Sequence, residues 1–431
     1  MPARQTPRRL AAWLALGVLL SFHAQAGQAP EVDAFLRSLV YDYFFSPDAD
    51  KAQQLLTEIL NREDATIPAI TSILREGSAY ATAPVGMLLS QSVVIDSHSF
   101  RYGLYIPSTY APDKAYPLVI CLHGAGFTGD AYLERWQVRL GDRYILACPT
   151  LRNGDWWTRT AEHLVMATIR AVTAAYHVDP DRVFLTGMSN GGIGAYLIGA
   201  RYAPRFAAVI PMASGLDEVL MPFLQNFRHT PLYIIHGKHD QVMPVRLSRE
   251  IVDTLTELKY RFVYREHDRV HPMAGGHFFP REELPDLVAW MEEQHRNPYP
   301  TALTVVEDAS HLVPFSWVRI DATDRIAALS DNLIDQRDEM VKNRIYARAD
   351  AEIHKANRIE VRTQRIRRYT LFLNDRLVDL SQAVTVVTNG KTSYEGAVKP
   401  SVRMLLHEAR LRHDRHALYP GSITVDVLPD K

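Results

Sequence analysis

Cysteine is nearly absent from this 431-residue chain, which has only Cys121 and Cys148. A fold stapled by several disulfides is therefore excluded, as is a cysteine-rich metal module. A bias of charge is also missing. Lysine and arginine number 48 and aspartate and glutamate 49, a formal net charge of -1. No global field draws the chain to nucleic acid or an anionic membrane surface. There is no internal repeat and no low-complexity tract, and no stretch beyond the first 26 residues is apolar for the roughly 20 residues that a transmembrane helix needs. Histidines occur in number, but His267, His271 and His277 do not follow the H-E-x-x-H spacing of a helical metal site. No metal and no cofactor is expected.

What is present is the composition of a soluble globular protein, 47% hydrophobic and 23% charged. The length exceeds what one core of about 250–300 residues accommodates, so at least two domains are expected. Arg4, Arg8 and Arg9, an apolar run from Leu10 to Phe22, and Ala24-Gln25-Ala26 form the three-part pattern of a secretory signal peptide. The pattern implies export to the periplasm or medium, with cleavage near Ala26 and no stable membrane insertion. A retained anchor is the alternative. Both cysteines lie near the ends of apolar runs, PLVICLHG and YILACPT, which favours two buried thiols over a bridge.

Residues 27–84 read as a helical extension. Val32, Phe35, Leu36, Leu39, Val40 and Tyr43 keep the spacing of one apolar helix face, repeated by Leu55, Leu56, Ile59 and Leu60 and then by Ile67, Ile70, Ile73 and Leu74. These helices are expected to pack on the segment immediately C-terminal to them. From 85 to 297, apolar β-type runs alternate with helical ones, the pattern of a mostly parallel sheet covered on both faces. The strands expected are Phe100–Ile106, Pro117–Leu122, Tyr144–Cys148, Arg182–Thr186, Ala207–Met212, Pro231–His236 and Arg261–Glu266, with helices at Ala161–Tyr176 and Arg281–His295. Pro298 and Pro300 mark a break. Residues 301–431 change to period-2 alternation around Ile345–Ile353, Ile359–Val361 and Tyr369–Leu373, with an Asn389-Gly390 turn and one helix near Val402–Arg412. That predicts a mainly antiparallel β domain of unknown role. Arg358, Arg362, Arg365, Arg367 and Arg368 read as its solvated face.

The chemistry concentrates at strand ends. Gly187-Met188-Ser189-Asn190-Gly191 comes directly after a predicted strand and opens a helix, the setting of a nucleophile elbow that projects Ser189 from a sharp turn. A serine hydroxyl needs a base, and a base needs a carboxylate to orient it. Asp240, just past the strand ending at His236, is the expected acid, with Asp217 or Glu218 in reserve. His277, in the glycine-rich loop Ala274–Pro280, is the expected base, with His271 as competitor. The backbone N–H groups of Asn190 and of Ala125, in His123-Gly124-Ala125-Gly126, are the expected oxyanion donors. Trp156, Trp157 and Met243 are candidates to line the substrate cleft, with at least one indole facing substrate.

The stretch Val178–Gly192, the His123-Gly124 loop, His236–Asp240 and Gly276-His277 together resemble the phospholipase/carboxylesterase group of α/β-hydrolases. They are also similar to the feruloyl-esterase and polyhydroxybutyrate-depolymerase branches. The resemblance covers about Phe100 to His295, under half of the chain. It implies hydrolysis of small-molecule or polymeric carboxylic esters through an acyl-enzyme, without a cofactor; protein partners are not implied. A prolyl-oligopeptidase-like peptidase shares the triad order, though nothing here offers a docking site for a peptide amine. A hydrolase-fold binding module without catalysis is the third possibility, against which the intact Ser, Asp, His and oxyanion loop stand.

Overall fold

The computed structural model describes residues 33–77, 80–329 and 338–428; the expected signal segment lies outside them. At its centre is an eight-stranded sheet. The strands are β1 (Gly86–Ile95), β2 (His98–Ile106), β3 (Tyr116–Leu122), β4 (Ile145–Pro149), β5 (Val178–Met188), β6 (Ala208–Met212), β7 (Leu232–Gly237) and β8 (Phe262–His267), ordered β1-β2-β4-β3-β5-β6-β7-β8. β1, β2 and β4 pair antiparallel, and all other neighbours are parallel. Every residue of β3, β4, β6 and β7 is buried, as unbroken apolar runs in a sheet covered on both faces should be.

β1 is absent from the sequence expectations. Its alternation changes phase at a bulge between Leu88 and Gln91, where Ser90 takes a positive φ of 55°, and most of its side chains reach solvent. A bulge shifts every later side chain to the other face, so a period-2 search loses the strand.

The first three helices are α1 (Ala34–Phe45), α2 (Ala49–Leu60) and α3 (Ile67–Glu76), capped by the side chains of Asp33, Asp48 and Thr66. After them come α4 (Gly129–Leu140), α5 (Arg159–Ala175), α6 (Asn190–Arg201), α7 (Arg246–Glu257) and α8 (Leu284–Glu292). α4 and α8 cover one face of the sheet through Trp136, Leu140, Leu287 and Met291. α5, α6 and α7 cover the other through Leu164, Ile169, Ile198, Ile251 and Leu255. Cys121 and Cys148 are free and fully buried on neighbouring strands, and burial raises the Cys148 thiol well above its ordinary value.

Past Pro300 the chain forms β9 (Ala302–Glu307), β10 (Val318–Thr323), a short α9 (Glu339–Lys342), β11 (Ala347–His354), β12 (Arg358–Gln364), β13 (Ile366–Leu373), β14 (Val384–Thr388), β15 (Lys391–Gly396), α10 (Val402–Arg412) and β16 (Gly421–Asp426). Two sheets result, β10-β13-β16 and β15-β14-β12-β11-β9, antiparallel except for the β12/β14 pair. The Asn389-Gly390 turn joins β14 to β15. One core runs without a gap from Ile120 and Leu185 through Trp317 to Tyr369 and Val386. Arg358, Arg367 and Arg368 pair with Glu360, Asp324 and Asp426 on an exposed face.

The N-terminal helices do not pack mainly on the segment next to them in sequence. Leu36, Val40, Leu56, Ile70 and Ile73 form a separate core with Leu405, Leu406 and Ala409 of α10, from the other end of the chain. Arg410 donates to the carbonyls of Tyr43 and Ser46 at 3.1 and 2.9 Å, satisfying the end of α1.

Candidate active site

β5 ends at Met188 and α6 begins at Asn190, leaving Ser189 between them at φ 59°, ψ -125°. A non-glycine residue in this region costs about 1–3 kcal/mol and persists only where its surroundings enforce it. They do so by contact. A Cβ on Gly187 would lie 2.1 Å from the carbonyl oxygen of Gly191, and one on Gly191 would lie 2.1 Å from that of Leu122. Both obstacles are backbone, so glycine alone lets strand, turn and helix approach this closely. The Ser189 N–H donates to the Met212 carbonyl at 3.0 Å, tying the turn to β6.

Asp240 lies in the turn after β7. Its Oδ1 accepts from the N–H groups of Val242 and Met243, each at 2.8 Å, and its Oδ2 accepts from His277 Nδ1 at 2.7 Å. With its proton on Nδ1, His277 keeps an Nε2 lone pair free to act as a base. The carboxylate is fully buried. Burial alone would raise it, but hydrogen bonds from His236, His277, Met243 and Val242 outweigh that and hold it far below the usual carboxylate range. The loop carrying His277 touches the Asp240 turn directly: a Cβ on Gly237 would meet the Gly276 carbonyl at 2.1 Å. His271 is elsewhere, its Nδ1 accepting from Met273 N–H at an exposed turn. Asp217 caps the adjoining 3-10 segment through Val219 N–H, and Glu218 pairs with Arg344.

A second imidazole shares Asp240. His236 Nε2 is 3.3 Å from Asp240 Oδ2 and 2.8 Å from the Met243 carbonyl, while Nδ1 is 2.7 Å from Ser248 Oγ, which donates to the Ser214 carbonyl. In the sequence His236 marks only a strand end. Its i, i+4 spacing to Asp240, on an otherwise apolar strand, is the signal that could have found it.

The His123–Gly126 loop comes after β3. A Cβ on Gly124 would lie 3.5 Å from Ser189 Cβ, so the loop runs beside the elbow with Ala125 exposed. His123 is fully buried, its Nδ1–H donating to the Gly124 carbonyl at 2.8 Å and its Nε2 accepting from Leu151 N–H at 3.1 Å. Burial lowers its pKa, in keeping with a neutral ring that braces the loop. Asn190 Nδ2 donates to the Asn153 carbonyl at 3.2 Å.

Trp156 is a correction. It is fully buried, and its indole N–H donates to the His123 carbonyl at 2.7 Å. An indole on the apolar face below the loop satisfies a buried carbonyl there and cannot meet substrate. Trp157 is half-buried against the main core. Met243 is half-buried beside Asp240, to which its N–H is bonded.

A mostly parallel eight-stranded sheet in this order, with a strained serine between a strand and a helix and a carboxylate and imidazole on later loops, is the α/β-hydrolase fold. No model of a known protein family matches the chain. Among curated proteins it is similar to probable feruloyl esterase C of Aspergillus terreus, 30% identical over 158 residues that cover 34% of this chain and 56% of the relative. It is 25% identical over 121 residues to acyl-protein thioesterase 1 of Gibberella zeae, covering 27% and 49%. It is 26% identical over 170 residues to poly(3-hydroxyalkanoate) depolymerase C of Paucimonas lemoignei, covering 34% and 41%. The chain spans about half the length of the curated relatives it matches.

Proposed function

We propose that this chain is an exported serine hydrolase that cleaves carboxylic esters through an acyl-enzyme. The observation that carries the reading is the 2.7 Å bond from His277 to a buried, ionised Asp240, in the same site as a serine held on a strained elbow. Ser189 Oγ attacks the ester carbonyl carbon as its proton passes to His277 Nε2. The carbonyl oxygen, now negative, is received by the N–H groups of Asn190 and Ala125, each worth roughly 3–4 kcal/mol of barrier. When the tetrahedral intermediate collapses, the C–O bond to the alcohol breaks and His277 returns the proton to that oxygen. Water repeats the sequence on the acyl-enzyme and releases the acid. No step calls for a cofactor.

Names of relatives support the substrate class: one is called a feruloyl esterase, one a protein thioesterase, one a polyester depolymerase, and all three transfer an acyl group to water. Export rests on the leader pattern of residues 1–26. The experiment is fluorophosphonate labelling of the mature protein beside Ser189→Ala, with methyl ferulate, short and long p-nitrophenyl esters, a polyhydroxyalkanoate film and a peptide panel. Labelling of Ser189 alone, with ester turnover, is expected. Equal labelling of both forms would remove Ser189 from the mechanism, and peptide turnover in place of ester turnover would remove the substrate class.

A further inference from the structure

A cavity of about 520 Å³ lies between α5, the turn after α6, the tip of the β1–β2 hairpin, and residues 313–316 and 411–414 of the C-terminal segment. It is at the far end of the sheet from Ser189. α6 starts at the elbow and runs 12 residues before reaching Tyr202 in the cavity wall, a span of about 18 Å at 1.5 Å per residue. The proposed reaction does not use it.

The walls have two characters. Ile95, Met166, Ile169, Val313, Pro314 and Leu411 form an apolar lining. Against it stand Arg170, Arg205 and Arg412, with His163 and His413. The carboxylates available to balance them are few. Asp414 is already bonded by Arg296 through both terminal nitrogens, at 2.5 and 2.7 Å, and Arg205 Nη1 lies 2.7 Å from it. Asp96 sits at the hairpin tip. Arg205 Nε, Arg412 Nη2 and His413 Nδ1 are buried polar atoms with no hydrogen-bond partner. No hydrogen bond or ion pair of the Arg170 guanidinium occurs among the described residues, although Arg170 stands at the exposed rim. Burial, and after it the charges of Arg170, Arg205 and Arg410, pushes His413 down to about 3, so the field at this wall is strongly positive.

Buried donors without acceptors are rare in folded proteins and call for a partner. A cavity of this size with one apolar wall and a few convergent polar groups is the common form of a small-molecule site. A bare inorganic anion would answer the arginines but leave the apolar wall wet. We infer that this cavity binds an organic carboxylate with an acyl or aryl body, its head on the Arg170, Arg205 and Arg412 side and its body against Met166, Ile169 and Leu411. Binding there requires no turnover at Ser189, so it stands or falls separately from the proposed reaction.

The test is calorimetric titration of the full mature chain carrying Ser189→Ala with octanoate, and with octanamide as the neutral isostere. Saturable one-to-one binding of octanoate is expected, with octanamide weaker by about tenfold, the scale of a lost charge-assisted hydrogen bond. Arg170→Gln and Val94→Glu should each weaken octanoate by a similar factor. Both positions are exposed, so an unchanged melting temperature is expected for each. A photoreactive diazirine analogue of octanoate should crosslink to peptides containing residues 163–170 or 411–417. The inference is overturned by absent binding, by equal affinity for acid and amide, by unchanged affinity in both variants, or by crosslinks confined to residues 123–127 and 274–280.

Discussion

Asp240 accepts from two imidazoles and two backbone N–H groups, and this crowding of donors decides what substitutions there will do. An asparagine amide presents a donor where His277 needs an acceptor, so the imidazole would move its proton to Nε2 and lose its basic lone pair. Asp240→Asn is therefore expected to lower kcat on the order of 10⁴ with KM little changed, measured on a p-nitrophenyl ester. A loss below about tenfold would return the acid's role to Asp217 or Glu218. His236→Asn should behave differently. It removes one of the donors that hold Asp240 ionised, so the acid limb of the kcat/KM profile should move to higher pH and kcat fall by about tenfold. A lower melting temperature with an unmoved pH profile would mean that His236 only fills space.

At the scale of elements, the site is assembled by close backbone approaches: β5 to α6 at Gly187 and Gly191, and the β7 turn to the His277 loop at Gly237 and Gly276. Strand, helix and loop were each legible as local patterns. Their contacts were not, because a glycine in a sequence does not say which distant carbonyl it admits. Trp156 teaches the same point. Beside Trp157 in a loop it resembled a cleft aromatic, yet its partner is a carbonyl 33 residues away. Trp156→Phe keeps the ring and drops that bond. The buried His123 carbonyl would then lack a donor, at a cost of about 1–3 kcal/mol. Stability should fall by that amount in urea titrations, and kcat should fall with it as the Gly124–Ala125 loop loosens. Wild-type kcat in this variant would disconnect the indole from the loop.

Over the whole molecule, the segments 85–297 and 301–431, which we propose as domains, are joined by buried charge. Arg201 bonds Glu162 and Asp308, while Arg205 and Arg296 converge on Asp414. Burial by itself would raise the Asp414 carboxyl, but Arg296 and Arg205 hold it well below the ordinary range. Asp414→Ala leaves two buried guanidinium groups uncompensated and should cost about 3–5 kcal/mol, read as a lower midpoint in urea. A change under about 1 kcal/mol would mean that water reaches the pair. Acid should also loosen the molecule. His413 is neutral in the folded chain down to about pH 3, whereas an unfolded histidine takes up a proton near 6.5. Between those values the unfolded state binds more protons, so stability rises with pH across the window and falls as pH drops from 6.5 toward 3. His413→Asn, which suits the left-handed conformation at that position, should flatten the slope of melting temperature against pH between 7 and 5. An identical slope in the variant would assign the acid sensitivity to other buried histidines, His123 and His311 among them.

The sequence by itself determined what depends on neighbours a few residues apart. The apolar runs specified β3 to β8, the capping residues and helical spacing specified α1 to α3 and α5, and the glycines around Ser189 specified the elbow. Tertiary structure decided what depends on residues far apart in the chain. It placed His236 on Asp240, turned Trp156 into a brace, closed α1–α3 over α10, and drew three arginines around one cavity. Local sterics act over a turn or a strand, whereas burial and hydrogen bonding act on whichever groups the fold brings within about 3–4 Å.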